Sequence, residues 1–433
     1  MNKKNNGVII MTSELVILTP SAVALAADSA VTLDTIENRK IYNGINKLFM
    51  LSNEPPVGIM TYNNVRLLNI PFETLIKEFR KSISQDSKKR FKNIFNNKQY
   101  STLNEFKVGF DNFLKGTIPR SDFRVSFNEK LDDFIKNFIP SDDNLNQDFY
   151  NRLMNLVIPN EIMVQAVLDS FTEDDLENIK RKAVEIHNKF ENKLNMEKFV
   201  ENFIKFFIWE EFANNYTGIV LAGFEMDKLF PSCMDYKIIY LYDDKFVSCD
   251  SHSYEVSKAK DGDVAVIPFA QHEVIQTFLR SIDSDTKSKI IDYFIEINAG
   301  YAVDLIKAIN NNPNIDEDSK KEVLMEITKF NINNIQLNNE FSKFILNLEY
   351  IHVAPILRSI GALPYGELSN LCESLIKITS LKRKVQSDLE TVGGDVDVAI
   401  ITKGDGFIWT KRKHYFDGNL NHQFFEKKNN EKI

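Results

Sequence analysis

The order of apolar patterns along the chain predicts an α+β fold in which two β-sheets lie face to face between two helical layers. Three observations point to it: strand-like runs fill residues 12 to 62, helical stripes dominate 71 to 215, and strands, helices and strands then follow one another to residue 411. Each sheet face needs an apolar partner, and stacking the two sheets with helices outside supplies one for every face. A chain of 433 residues is long enough to bury such a core.

The first strands are read at Leu15 to Leu18, Ala22 to Ala27, Lys47 to Leu51 and Val57 to Met60, runs of β-branched and small residues separated by Pro, Asn, Asp and Ser. A turn centred on Pro20 pairs residues whose numbers sum to 40, setting Val16 opposite Ala24, Glu14 opposite Ala26 and Thr12 opposite Asp28. A two-residue turn shifts that pairing by one. Further on, Thr172-Glu173-Asp174-Asp175 starts a helix, with Leu176, Ile179, Ala183, Ile186 and Phe190 recurring at helical spacing. The Phe-rich stretch Glu197 to Phe212 is a buried helix, and Asn/Lys-rich patches such as Lys92 to Tyr100 are loops. Strands return at Gly218 to Phe224, Lys237 to Leu241 and Val264 to Pro268. Long helices occupy 271 to 382, broken near Asn310 to Asn314 and Gly361 to Tyr365. Val396 to Thr402 and Phe407 to Lys411 close the chain as a hairpin about Gly404-Asp405-Gly406.

Composition narrows the function classes. No stretch approaches ~20 uninterrupted apolar residues, which argues against a membrane span. A net charge of −8 argues against nucleic acid as a partner, because such binders neutralise phosphates with a concentrated basic face. The short basic run Lys411-Arg412-Lys413-His414 reads as a solvated strand end. Cys233, Cys249 and Cys372 are far apart and form no CxxC pattern, so neither a disulfide framework nor a structural zinc site is suggested, which fits a cytoplasmic location. Cys249 and His252 are too few to make a metal site, and no cofactor is expected.

The opening stretch MTSELVILTPSAVALAADSAVTLD admits two readings. As a secretory signal it would leave a secreted, mostly helical binding protein starting near Ala27 or Asp28. Glu14 and Pro20 interrupt the apolar region a signal needs, and cleavage after Ala26 would remove a strand the fold uses.

As a hairpin, "TSELVILTPSAVALAADSAVTLD", with "KIYNGINKLFMLS" and "PVGIMTYN" after it, resembles the start of proteasome β subunits and their simpler bacterial relatives, the N-terminal nucleophile hydrolases. The later "GIVLAGFEMDKLFPSCMDYKIIYL" and "GGDVDVAIITKGDGFIW" resemble that family's second pair of strands and its closing hairpin. The resemblance covers residues 12 to 70 and about 216 to 411. It implies a four-layer αββα sandwich with 71–215 as a helical insertion, 1–11 as a leader or misplaced start, and 412–433 as a polar tail. It also implies that Thr12, once first in the chain, is the nucleophile, with Asp28 sixteen residues on and Lys47 of Lys47-Leu48-Phe49 beside it. A backbone N–H near Gly58 would be the oxyanion donor.

Those residue types suit the chemistry. A threonine hydroxyl is weak until a base adjoins it, and a free α-amine with a pKa of about 7.7–8.0 can take its proton. Met11 directly precedes Thr12, so translation from Met11 with methionine removal, or self-cleavage, would expose the threonine. Two features depart from the family. The serine that supports the amine is missing from Pro268-Phe269-Ala270-Gln271, and the acidic and hydroxyl pair before the closing hairpin is represented only by Asp388, Glu390 and Thr391. The helical segment is also longer than in ring-forming subunits. The leading expectation is a cytoplasmic, proteasome-like threonine hydrolase acting on a peptide or protein and assembling as a homo-oligomer, with no nucleic acid or membrane partner. The alternative is a non-catalytic scaffold of the same fold.

Overall fold

Pro20 and Ser21 turn the first strand of the protein back on itself, and the rest of one sheet is laid around that hairpin. The computed structural model describes residues 13–34, 39–90, 100–118, 125–139, 147–190, 195–256, 264–385, 393–414 and 416–423. Strands β1 (Ser13–Leu18), β2 (Ala22–Ala27), β3 (Ala30–Asp34), β4 (Arg39–Asn43), β5 (Leu48–Asn53), β6 (Pro56–Asn63), β7 (Arg66–Leu67) and β8 (Ile70–Pro71) come first. Among the described residues there follow helices α1 (Phe72–Arg90), α2 (Leu103–Thr117), α3 (Phe127–Phe138), α4 (Gln147–Met154), α5 (Glu161–Leu168), α6 (Glu173–His187) and α7 (Met196–Glu211). Then come β9 (Thr217–Gly223), β10 (Ser232–Tyr240), β11 (Phe246–Glu255) and β12 (Ala265–Ala270). Helices α8 (Glu273–Arg280), α9 (Ser284–Asn310), α10 (Glu317–Gly361) and α11 (Tyr365–Val385) precede the closing β13 (Asp397–Thr402) and β14 (Gly406–Lys411).

The strands form two five-stranded antiparallel sheets, in the orders β12-β1-β2-β13-β14 and β11-β10-β9-β6-β5, and two small hairpins, β3-β4 and β7-β8. In the first hairpin Glu14 faces Ala27 and Val16 faces Leu25, so paired numbers sum to 41 and not to the 40 expected from a turn centred on Pro20. The reason is a two-residue turn. The Thr19 N–H donates to the Ala22 carbonyl at 2.9 Å, and the Ala22 N–H donates to Thr19 Oγ1 at 3.1 Å. Asp28 consequently comes opposite Ser13, one residue on from Thr12, and its N–H donates to the Ser13 carbonyl at 3.1 Å.

Every residue of β1, β2, β9 and β13 is buried, which explains why these strands read as near-continuous apolar runs. Val16, Leu18, Val23, Leu25, Ala399 and Ile401 of the first sheet share one core with Leu48, Met60, Val220 and Ala222 of the second. Ala22, Ala24 and Ala26 lie on the opposite face of β2. Helix α11 packs against β1, β2 and β13 and buries Leu368, Cys372, Leu375 and Ile376. Beyond the second sheet, Phe49, Leu51, Ile59, Ile219 and Leu221 pack with Phe72 and Phe79 of α1 and Phe106, Phe110 and Leu114 of α2.

The stretch 71–215 therefore has two parts. α1 and α2 cover a sheet, while α3 to α7 enclose an aromatic core that includes Phe134, Phe199, Phe203 and Phe207 and reaches Ile239, Leu241 and Tyr242 at the end of β10. Thr172 caps α6 reciprocally with Asp175, as its sequence indicates.

The helices read at 271 to 382 also divide. α11 belongs with the sheets, whereas Gln271–Leu363 is a compact unit of its own, holding α8, α9 and α10. Within that unit the Phe294 ring stacks on Phe341 with centroids 3.9 Å apart, and Lys287 pairs with Glu349 at 3.0 Å. Among the described residues no helix is long and apolar enough to cross a membrane. The fold is thus mixed α+β with antiparallel sheets.

Candidate active site

Asp28 ends β2 as a short polar interruption of the Ala-rich strand, and its carboxylate collects three donors. Oδ1 accepts the Ser13 backbone N–H at 3.2 Å and the Lys47 ammonium at 2.5 Å; Oδ2 accepts the Gly393 N–H at 3.1 Å. One side chain thus joins β1, the approach to β5 and the loop entering β13. In that loop Gly394 has φ +74°, a left-handed conformation that glycine adopts without strain.

Lys47 is held from its backbone as well, its carbonyl accepting the Thr61 N–H at 2.9 Å. Its side chain is fully buried, 2.5 Å from Asp28 Oδ1 and 3.5 Å from Glu14 Oε1. An ammonium taken out of water needs such partners, since desolvating it alone costs several kcal/mol. Asp28 and Lys47, paired at sequence level by spacing and resemblance, are therefore in direct contact.

Two buried carboxylates extend the site. Ala27 of β2 faces Glu14 on one side and Asp397 on the other. Residues directly opposite one another in antiparallel strands share a face, so Glu14 and Asp397 flank Ala27 in one row. That face is shared with Val16 and Ala399, whose side chains join the core between the sheets. Asp397 accepts from Arg412 Nη1 at 2.9 Å, from the Lys413 N–H at 2.8 Å and from Lys413 Nζ at 2.7 Å. The run 411–414 is a solvated strand end only in part: Lys411 is exposed and pairs with Glu373 of α11, and His414 is exposed, but Arg412 and Lys413 turn inward to Asp397. Burial pulls the Lys413 ammonium below its ordinary range, against the opposing pull of Asp397. Among the described residues three carboxylates (Glu14, Asp28, Asp397) meet three cations (Lys47, Arg412, Lys413).

Thr12, Asp388, Glu390 and Thr391 lie outside the described residues. Thr12 is nonetheless joined by its peptide bond to the Ser13 nitrogen that donates to Asp28. Gly58 stands in the middle of β6, facing Met50 and Ala222. Thr61, the residue that bonds Lys47, lies three positions further on, about 10 Å away along a strand. A Cβ at Gly58 would come 2.5 Å from Leu25 Cδ1, so its surroundings are core. In Pro268–Gln271, Ala270 takes the place facing Ser13 and holds φ +61°, unusual for a residue with a side chain.

Glu14, Asp397, Arg412 and Lys413 are the additions to the residues expected from sequence. Glu14 and Asp397 do carry a signal, a charge at an inward-facing position of an otherwise apolar strand, which burial tolerates only with a partner.

Among the described residues no three His, Cys, Asp or Glu side chains are grouped to hold a metal. Cys249 faces Lys237, and His252 faces Asp235 across β10 and β11, its Nδ1 lying 3.7 Å from Asp235 Oδ1. The three cysteines are free thiols, and burial pushes Cys233 and Cys372 well up from the usual thiol range.

What this geometry can do chemically is present a fixed positive charge beside the start of β1, where it would stabilise negative charge on a neighbouring oxygen. No protein-family model matches the chain, and no curated protein matches it either.

Proposed function

We propose that the chain is an N-terminal nucleophile hydrolase of the proteasome β-subunit type, with a four-layer αββα core, cleaving amide bonds in a peptide or protein through Thr12. The observation that carries this reading is the shared carboxylate of Asp28, which takes both the Lys47 ammonium and the N–H of Ser13, the residue bonded to Thr12. In this reading residues 1–11 are removed and the Thr12 α-amine accepts the proton of its own hydroxyl. The oxygen attacks the substrate carbonyl, and the amine then protonates the leaving amide nitrogen. Water attacks the resulting ester and returns the hydroxyl. Lys47 stabilises negative charge on the Thr12 oxygen and, as a like charge, favours the neutral amine that can act as base.

A cytoplasmic location and assembly with further copies of the chain belong to the same proposal. A form beginning near Ala27 would lack β1 and nearly all of β2, two inner strands of the first sheet, which weakens the secreted reading. The test is intact mass with N-terminal sequencing, followed by labelling with an electrophilic threonine-directed probe. The expected result is a chain beginning at Thr12, labelled once, with labelling lost in Thr12→Ala. A blocked or longer terminus, or labelling that survives the substitution, overturns it.

A second reading, a non-catalytic scaffold of the same fold, is favoured by the complete burial of Lys47 and by the lack of a serine in Pro268–Gln271, where the resemblance calls for one. It predicts a Thr12-first protein that the probe leaves unmodified.

A further inference from the structure

Lys47 has no covalent or ladder constraint on its side chain, so its place depends on how the two sheets are held at this end. Arg412 provides a link between them. Its Nη1 donates both to Asp397 Oδ2 at 2.9 Å, on β13 of the first sheet, and to the Leu48 carbonyl at 3.2 Å, on β5 of the second. Leu48 is the residue immediately after Lys47. The guanidinium also lies over the Trp409 ring, 4.2 Å from its centroid, which limits its freedom to leave. Lys413 supplies Asp397 with a second cation through Nζ and a backbone donor through its N–H. Asp397 thereby takes three hydrogen bonds from Arg412 and Lys413.

We propose that Arg412 is a positioning residue: by fastening Asp397 to the Leu48 carbonyl it clamps the two sheets beside Lys47 and holds that ammonium on Asp28, with Lys413 completing the charge of Asp397. The proposal deepens the hydrolase reading and rests on it for its kinetic consequence, but the placement of Lys47 can be measured separately. The geometry assigns a function to residues beyond the closing hairpin, in the stretch that sequence alone marks as a polar tail.

The experiment compares the full-length protein with Arg412→Met, which keeps the length of the stem and removes the fork. Lysine acylation by acetic anhydride is followed residue by residue with peptide mass spectrometry. Lys47 is expected to acylate about tenfold faster or more in the variant as its site opens locally, while exposed Lys81 is unchanged. Millimolar guanidinium should slow Lys47 acylation again in the variant and leave the parent protein unaffected. With a peptide amide substrate, kcat should fall about tenfold with KM within about twofold, because the contact acts on the reacting groups rather than on substrate binding. If Arg412→Met does not fold, Arg412→Gln gives the same comparison, since its shorter, uncharged amide removes both the charge and the guanidinium fork. Acylation of Lys47 at the parent rate overturns the positioning proposal whatever the activity. A parent protein with no turnover and no Thr12 labelling overturns the hydrolase reading instead, and the acylation rates then decide the positioning role alone.

Discussion

At the scale of single residues, Asp28 is where removal should cost most. Its loss would leave Lys47 buried with Glu14 Oε1 at 3.5 Å and without its 2.5 Å partner. Breaking a buried pair on one side costs about 3–5 kcal/mol, so Asp28→Ala is expected to lose that much in denaturant unfolding. Lys47→Met, which removes the buried charge and keeps the stem, should lose less. Asp111 on α2 gives a pH-dependent case. Burial lifts its carboxyl above the ordinary value of 3.8, outweighing Ser248, Lys107 and Lys115 nearby. The folded protein therefore keeps this proton to higher pH than the unfolded chain does. Stability contributed at Asp111 is full below 3.8 and falls as pH rises through the raised value. Asp111→Asn should remove that slope, so its Tm should exceed the parent's near neutral pH and the gap should close in acid. Asp28 and Lys47 were legible in the sequence through the resemblance, which the Ala-Ala-Asp and Lys47-Leu48-Phe49 segments carry. Arg412 and Lys413 were not, because a short basic run looks solvated until the register sets Asp397 beside it.

At the scale of elements, legibility followed burial. β1, β2, β9 and β13 are hidden on both faces and announce themselves as apolar runs. β11, at the edge of the second sheet, did not: in FVSCDSHSYE polar residues occupy both alternating positions, so the period-2 signal is absent. Helix breaks at Asn310 to Asn314 and Gly361 to Tyr365 were readable because Asn, Pro and Gly punctuate them, and α9, α10 and α11 end and start there. The hairpin register was one residue off because pairing depends on whether the turn takes two residues or three, which Thr19 decides through its bonds to Ala22. β6 supplies a prediction of its own. A methyl group at Gly58 would meet Leu25 at 2.5 Å, Phe407 at 3.1 Å and Ile401 at 3.2 Å, so Gly58→Ala should destabilise by about 1–3 kcal/mol through overpacking. Chemical unfolding checks it, and a loss of activity in that variant must be corrected for the loss of folded protein before it bears on oxyanion binding.

At the scale of the whole molecule, the chain comprises the sheet-containing unit and the helical unit Gln271–Leu363. Separate cores need not melt together, so a calorimetric scan should give more than one transition, or a calorimetric enthalpy exceeding the van't Hoff value. A single transition with equal enthalpies would show that the units unfold as one. The strand order of the first sheet has a temporal consequence. β2 lies between β1, its neighbour in sequence, and β13, which begins at Asp397. During synthesis the ribosome must make residues 28 to 396 before that partner emerges, and translation proceeds at only about 5–20 residues per second. For tens of seconds the nascent hairpin carries an unpaired apolar edge, the kind of surface that is prone to mispairing until its late partner arrives.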